Sequence, residues 1–393
     1  MCQRLTFTML IDLDPSIPKF RQEVIQTLGQ LRRPEWLSLD PESTEYLAHG
    51  KAMDRALIGL GWYALHWPKE YGGGGTPDTF LRHAVLRELE GYFRVPTFGG
   101  HGRYIVGPAL IEFGAPEQKA RYLPPIAGGE TVICLGFTEP DAGSDLAAMQ
   151  LRAERQGQDY IANGSKLYIT YGHYATAMLL AARTQPGSKK HDGVSLFLVD
   201  MKSPGIRISD LPCLTGHMVT EVHFDNVRIP GDTLVGEPNR GFYHMATALN
   251  FERSGLDWPA KYMAQLEDVA QYARETGLWQ RSAIREAVGR LAASLEAWRM
   301  ICWRVVMLQY KGEVPSWEAA MAQLCRKDFN PQFGRLLLEV LGPEALVERG
   351  ESRSPLAGRV EWYLRESFNN HGQGGRFVTR NVIARRGLNM PRS

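Results

Sequence analysis

The spacing of hydrophobic and polar positions changes twice along the chain. In residues 15–130 and 238–393 the apolar side chains recur at intervals of three and four, which is typical of amphipathic helices. Residues 131–235 instead contain short strand-like runs separated by turns such as Gln185-Pro186-Gly187-Ser188. The pattern predicts a mainly α-helical protein with three domains: helical at 1–130, a β-barrel or sandwich at 131–237, and a helical bundle at 238–393.

The individual elements can be assigned from the same pattern. Helices are predicted at 18–31, 42–60, 79–91, 108–113, 117–122, 242–250, 261–275, 282–311, 317–329 and 332–340. Strands are predicted at 131–136, 151–156, 160–170, 177–184, 194–199 and 221–227.

Two stretches of the β-region indicate a ligand. Small residues in the loop TEPDAGSD, residues 138–145, allow the backbone to approach a ligand, and its successive N–H groups can form an anion-binding nest. Asn163-Gly164 predicts a hairpin turn. Tyr168 and Thr170, two apart on one strand, share a face and suit a flat heterocycle with polar edges. The same residues also fit an ordinary turn followed by an ordinary strand.

Composition excludes several classes of protein. A formal net charge of +2 over 393 residues gives no basic surface for nucleic acid. The five cysteines have no pairing or metal-ligand spacing, which favours a reducing compartment, and no apolar run is long enough for a membrane span. The first residues do not resemble a signal peptide, so we expect a cytoplasmic protein that begins at Met1 or Met9.

A series of motifs in order along the chain resembles the acyl-CoA dehydrogenase family. The motifs are WPKEYGG at 67–73, TEPDAGSD at 138–145, YIT at 168–170, VHFDNVRIP at 222–230, NFER at 250–253 and RNVIAR at 380–385. The resemblance covers nearly the whole chain. It implies a helical N-domain, a β-barrel middle domain, a C-terminal four-helix bundle, the cofactor FAD and α,β-dehydrogenation of an acyl-CoA.

The resemblance also indicates which residue is the catalytic base. In one branch of the family the base is a Glu in a Y-E-G-T motif, and that position is Gln373 here. In a second branch, similar to isovaleryl-CoA and sterol-side-chain dehydrogenases, it is a Glu before an Arg on the first helix after the barrel. This chain keeps the second pattern, with Glu252 as base and Arg253 behind it. Glu366 is a weaker candidate. The N–H of Gln373 is expected to donate to the thioester oxygen.

The resemblance assigns the remaining contacts residue by residue. Those expected to bind FAD are Leu135, Phe137, Thr138, Ser144, Tyr168, Thr170, Arg274, Glu339 and Gly375. Those expected to bind the substrate are Ser144, Asn250, Arg253 and Gly374. Tyr168 replaces the usual Trp. The R-x-x-F-G motif of the family, whose arginine reaches the FAD of the neighbouring subunit, keeps only Arg274 here. Glu339 replaces a Gln that lies near the FAD pyrophosphate, where a carboxylate is unfavourable.

These losses leave the assembly open. The chain is expected to form a homotetramer, a homodimer or an α2β2 complex with a homologous subunit, and to pass electrons to an electron-transfer flavoprotein. Alternatives are a partner subunit with little activity alone and a flavin oxidase or monooxygenase of the same fold. A nucleic-acid binder similar to the alkylation-response relatives is disfavoured by the near-neutral charge.

Overall fold

The computed structural model of the protein describes residues 16–75, 77–188, 190–252, 254–368 and 375–391, and for residues 34, 77 and 250–252 it describes the backbone alone. Helices come first in the chain, strands follow and helices return. The first helices are α1 (Ser16–Leu31), α2 (Thr44–Gly59), α3 (Pro77–Phe93), α4 (Gly107–Phe113) and α5 (Pro116–Ala127). The later helices are α6 (Gly241–Glu252), α7 (Asp257–Glu275), α8 (Ser282–Tyr310), α9 (Trp317–Leu341), α10 (Arg359–Ser367) and α11 (Arg376–Val382).

The strands between the two helical parts form one sheet. They are β1 (Ile133–Gly136), β2 (Arg152–Gln156), β3 (Asp159–Thr170), β4 (Ala177–Arg183), β5 (Val194–Asp200), β6 (Ile206–Pro212), β7 (Met218–Ile229) and β8 (Leu234–Val235). Their hydrogen-bonded order is β6-β7-β3-β2-β4-β5-β8, and β1 pairs with β4 in parallel. The central β4 is an almost entirely buried apolar run, as expected for a strand covered on both faces.

The predicted hairpin turn at Asn163-Gly164 is wrong. Both residues lie inside β3, and the turn between β2 and β3 is instead Gly157-Gln158, where Gly157 supplies a left-handed φ of +66°. Gly164 marks an irregularity in the pairing of β3 with β7. A Cβ on Gly164 would lie 3.0 Å from the Leu151 side chain, so a close approach of strands explains this glycine.

Prolines also misled the helix assignment. The helices predicted at 317–329 and 332–340 are one helix, α9, which continues through Pro331, and the helix predicted at 117–122 continues through Pro124 and Pro125 as α5. Packing outweighs the local cost of proline, since the helix positions beside Pro331 include the buried Phe329 and Phe333. The sequence pattern did not reveal β6, β8, α10 or α11. None of the helices in the described ranges is long and apolar enough to cross a membrane.

A charged cluster joins the N-terminal helices to the C-terminal bundle. Glu88 of α3 has a side chain that is 3 % exposed, and it pairs with Arg21 of α1 at 2.5 Å and with Arg299 of α8. The indole Nε1 of Trp303 donates to the same carboxylate at 3.4 Å. Burial alone would raise the pKa of Glu88, but the two guanidinium groups outweigh it and hold the pKa below its usual value.

We expect Glu88→Gln to destabilise the protein by about 3–5 kcal/mol, because it leaves two buried guanidinium groups without their carboxylate. Urea denaturation followed by tryptophan fluorescence measures the loss. The contribution of Glu88 is present above the unfolded-state pKa of 4.5 and is lost as the pH falls through the lower folded-state value. Glu296→Gln is the control, since Glu296 also contacts Arg299 but is more exposed, and it should cost less than about 1 kcal/mol. Equal losses in the two variants would contradict this account.

Candidate functional site

A β-bulge in β3 exposes an aromatic ring. The pairing of β3 with β7 slips between Lys166 and Ile169, and Tyr168 adopts a left-handed φ of +58° at this point. Bulky residues avoid that conformation, so a residue held there often has a functional role. The Tyr168 side chain is 62 % exposed, and Thr170 is exposed two residues later. The bulge therefore presents a flat ring and a hydroxyl on the outside of the sheet.

The loop that follows β1 offers free backbone donors. Glu139 and Ala142 form a tight turn, in which each N–H donates to the other carbonyl at 3.1 Å. The next three residues, Gly143, Ser144 and Asp145, are exposed, and within the described chain their N–H groups donate to no protein acceptor. Successive free amides of this kind can donate to an anion or to the polar edge of a ligand.

A buried ion pair fixes this loop to β3. The Lys166 side chain is 0 % exposed, and its Nζ lies 2.7 Å from Glu139 Oε1 and donates to the Phe137 carbonyl at 3.2 Å. Glu139 also accepts from the backbone N–H groups of Gln150 and Leu151. Burial lowers the pKa of Lys166 to about 8, although the Glu139 carboxylate opposes the shift. Lys166 and Glu139 thus bind each other, and three backbone groups complete their hydrogen bonds.

Backbone contacts connect the other residues of this centre. The N–H of Leu167, which the bulge frees from the ladder, donates to the Thr138 carbonyl at 2.9 Å. The N–H of Gly375, at the start of α11, donates to Ser144 Oγ at 3.3 Å. Phe137, Thr138, Ser144, Tyr168 and Gly375 are thus brought together from three distant parts of the chain.

Helix α6 packs near β1, which leads into the loop 138–145. Its Ala248 belongs to a small core cluster with Tyr104, and Leu135 of β1 and Leu249 of α6 both pack against that cluster. Leu249 lies one turn before Glu252, which is the last residue of α6. The side chains of Asn250 and Glu252, and all of Arg253, Gln373 and Gly374, lie outside the described part of the chain.

The remaining two candidate residues lie on the helical bundle. Arg274 is exposed at the end of α7, where its guanidinium stacks over Trp279 at 4.3 Å, and Glu339 is exposed near the end of α9. Arg274 lines the mouth of a cleft of about 900 Å³ between α3, α7 and α8. This cleft contains no residue of β3 or of the loop 138–145, so its size alone does not make it the catalytic site.

Glu366, the weaker candidate base, is already engaged. Its side chain on α10 is buried, and it accepts from Lys261 and from Gln265 Nε2 at 3.2 Å. Burial alone would raise the pKa of Glu366, but Lys261 outweighs it and keeps the carboxyl ionised and paired. Such a carboxylate is suited to holding α10 on α7 rather than to taking a proton from a substrate.

The Lys166–Glu139 pair was not recognised in the sequence. Its signal is a lysine at an inward position of β3, since Ala162, Lys166 and Ile169 are the fully buried residues of that strand. A buried lysine requires an acidic partner, and the loop 138–145 offers Glu139, Asp141 and Asp145, of which the structure shows Glu139 in contact. The bulge concealed this pattern, because it shifts the inward positions by one residue.

We expect Lys166→Met to destabilise the protein by about 3–5 kcal/mol, because it leaves the Glu139 carboxylate buried without a cation. The double variant Lys166→Met, Glu139→Gln should recover part of that loss, since neither charge then remains. Thermal unfolding measures the stability of the single and the double variant. Lys190→Met is the control: Lys190 pairs with Asp145 of the same loop but is more than half exposed, and its loss should cost less than about 1 kcal/mol. If Lys166→Met left the stability of the protein unchanged, the assignment of this pair as a stabilising contact would be refuted.

Comparisons with known proteins agree on one family. The chain is 31 % identical to the acyl-CoA dehydrogenase FadE26 of Mycobacterium tuberculosis, over 98 % of this chain and 100 % of that protein. It is 27 % identical to the human mitochondrial short-chain specific acyl-CoA dehydrogenase, over 83 % of this chain and 81 % of that protein.

Solved structures give the same result. The Tcur3481-Tcur3483 steroid ACAD superposes with a TM-score of 0.88 at 30 % identity, covering 97 % of this chain and 99 % of that chain. The ChsE4-ChsE5 complex from Mycobacterium tuberculosis superposes with a TM-score of 0.87 at 30 % identity, covering 98 % of this chain and 100 % of that chain. The expected architecture of a helical N-domain, a β middle domain and a helical C-domain is confirmed.

Three family models match consecutive parts of the chain. They are the N-terminal domain of acyl-CoA dehydrogenases at residues 19–130, the middle domain at 134–227 and the C-terminal domain at 239–388. Members of this family are flavoprotein oxidoreductases. The chain belongs to the acyl-CoA dehydrogenase family and is an oxidoreductase.

Proposed function

We propose that the protein catalyses the FAD-dependent α,β-dehydrogenation of an acyl-CoA thioester. The observation that carries the proposal is the exposed surface formed by Tyr168, Thr170 and the free amides of residues 143–145. A ring 62 % exposed to water has a large apolar face to bury, and a heterocyclic cofactor would bury it. The hydroxyl and the amides suit the polar edge of the cofactor and its ribityl or phosphate groups.

FAD, when bound, supplies a hydride acceptor at its N5 atom. The residues of this chain provide the binding surface and the proton chemistry. In this proposal Leu135, Phe137 and Thr138 bind FAD, and the Thr138 carbonyl accepts from the N–H of Leu167 beside Tyr168. The contact of Ser144 with Gly375 links the loop to the start of α11. In this proposal the same Ser144 also contacts the CoA moiety.

Glu252 is the proposed catalytic base. The α proton of a thioester is only weakly acidic, so the enzyme needs a positioned carboxylate and donors to the thioester oxygen. The end of α6 carries Glu252, one turn beyond Leu249, which packs in the same cluster as Leu135. Arg253 would favour the ionised carboxylate, and the N–H of Gln373 would donate to the thioester oxygen. Asn250 and Gly374 would contact the substrate.

The acyl group is proposed to be branched or bulky. The placement of the base on α6 resembles the branch that accepts such substrates, and the name of the Tcur3481-Tcur3483 relative identifies it as a steroid dehydrogenase. The electrons removed from the substrate are proposed to pass to an electron-transfer flavoprotein.

We further propose that the chain functions in an α2β2 complex with a homologous subunit. Two of the similar solved structures are named as two-component proteins, Tcur3481-Tcur3483 and ChsE4-ChsE5. In this chain Arg274 stacks on its own Trp279, and Glu339 is an exposed carboxylate where a Gln is usual in the family. A second copy of this chain would bring that carboxylate towards the FAD pyrophosphate, whereas a different subunit need not.

We expect Glu252→Gln to bind acyl-CoA with unchanged affinity but to reduce its flavin about 10²- to 10⁴-fold more slowly, because the base is lost. Anaerobic titration with a panel of acyl-CoAs, followed by flavin absorbance, measures both quantities. Glu286→Gln, which alters an exposed carboxylate on α8, is the control and should bleach normally. Full bleaching of Glu252→Gln would remove Glu252 from the mechanism.

The assembly is tested by FAD content. Expressed alone, the chain should purify with less than one FAD per subunit, because a cross-subunit contact is missing. Co-expression with a homologous acyl-CoA dehydrogenase chain from the same genome should restore the flavin and yield a mixed complex by size-exclusion chromatography and mass analysis. A homo-oligomer of this chain that is saturated with FAD and fully active would refute the heteromeric proposal.

A further inference from the structure

The junction between α6 and α7 lies close to the proposed base. Helix α6 ends at Glu252, and α7 begins at Asp257. Between them Gly255 takes a left-handed φ of +57°, and Leu256 is a buried member of the main core cluster. Because only a few residues separate the two helices, an interaction that fixes the start of α7 also restricts where α6 can end.

One face of α3 packs against this junction. His83, Arg87 and Gly91 are spaced four residues apart, so they form a single stripe along the helix. Arg87 Nη2 lies 2.9 Å from Asp257 Oδ2. A Cβ on Gly91 would lie 2.2 Å from the Asp257 carbonyl oxygen, which shows that the two backbones are in direct contact. His83 lines a small cavity of about 20 Å³ together with Ser254.

The surroundings of Arg87 keep its guanidinium charged and oriented. It stacks over the Tyr104 ring at 4.0 Å and lies 3.7 Å from Glu90, which also binds Arg103 at 3.0 Å. Burial alone would lower the pKa of Arg87, but Asp257, Tyr104 and Glu90 outweigh it and raise the pKa. The cluster thus contains two guanidinium groups, of Arg87 and Arg103, and two carboxylates, of Glu90 and Asp257. Loss of the Asp257 carboxylate would therefore leave an excess of positive charge and release the start of α7.

We propose that Arg87 and Asp257 are positioning residues, which hold the C-terminal end of α6 so that the Glu252 carboxylate reaches the α carbon of the acyl group. This inference rests on the proposed role of Glu252. Proton abstraction is sensitive to such placement, since a displacement of about 1 Å can cost about 100-fold in rate. Neither residue contacts the substrate in this account, because both act through the junction.

The chain contains a matched control for this pair. Arg94, just after α3, pairs with Asp268 of α7 at 2.6 Å, and this pair is also largely buried. Asp268 lies about three turns beyond Asp257 on the same helix. Asp268 also accepts from Arg359 and Tyr363. Asp268→Asn therefore removes at least as many contacts to α7 as Asp257→Asn does, but away from the junction with α6.

The test compares Asp257→Asn with Asp268→Asn in the FAD-loaded protein or complex. Anaerobic stopped-flow gives the limiting rate of flavin reduction with an acyl-CoA that is unlabelled or deuterated at the α carbon. Asp257→Asn should lower this rate about 10- to 100-fold and increase the α-deuterium isotope effect, with FAD content and acyl-CoA affinity unchanged. It should also speed amide hydrogen exchange in residues 254–258. Asp268→Asn should lose thermal stability but keep its limiting rate within about two-fold.

A wild-type limiting rate and isotope effect in Asp257→Asn would overturn the inference. If Glu252→Gln is inactive at the same time, the proposed function survives that result. Full activity of Glu252→Gln overturns both, since no base then remains at this position to be held. Should Asp257→Asn fail to fold, Arg87→Gln removes the other partner of the pair and is judged by the same measurements.

Discussion

The buried ion pair between Lys166 and Glu139 is the interaction on which the candidate site depends. It joins the loop after β1 to the one strand that carries both Tyr168 and Thr170. Desolvation of two charges is costly, and further hydrogen bonds offset it: Lys166 donates to the Phe137 carbonyl, and the amides of residues 150 and 151 donate to Glu139. Because these contacts have directions, they fix the loop in one position. The exposed ring and the free amides can then present one rigid surface to a flat ligand.

The N-terminal and C-terminal helices are joined to each other by charges on and beside α3. Glu88 connects α1 and α8, Arg87 contacts the start of α7, and Arg94 contacts the middle of α7. The sheet thus carries the proposed flavin surface, while the helices carry the proposed base. The two parts meet where Leu135 and Leu249 pack against a common cluster. In the proposed mechanism, this meeting of a sheet site with a helix end is the route by which contacts distant from the flavin would affect the chemistry.

The sequence was sufficient for the order of a helical, a β and a second helical region, because the change of hydrophobic period is strong over long segments. It also predicted a ligand site at the loop 138–145, Tyr168 and Thr170; the structure shows that Tyr168, Thr170 and residues 143–145 are exposed, and their binding role stays a prediction. It failed where tertiary contacts override local preference: Asn163-Gly164 lies inside a strand, and Pro331 lies inside α9. The partnership of Lys166 with Glu139 could not be predicted, since a bulge shifts the register that would have revealed it. The contact between Arg87 and Asp257 depends on helices far apart in the chain, which periodicity alone does not relate.

The most direct test of the account is a crystal structure of the protein, in its physiological assembly, with FAD and an unreactive acyl-CoA analogue bound. The account predicts that the isoalloxazine ring lies against Tyr168 within hydrogen-bond distance of Thr170, and that the Glu252 carboxylate contacts the α carbon of the acyl group. A flavin bound away from Tyr168, or a Glu252 side chain directed into solvent with another carboxylate at the α carbon, would contradict it.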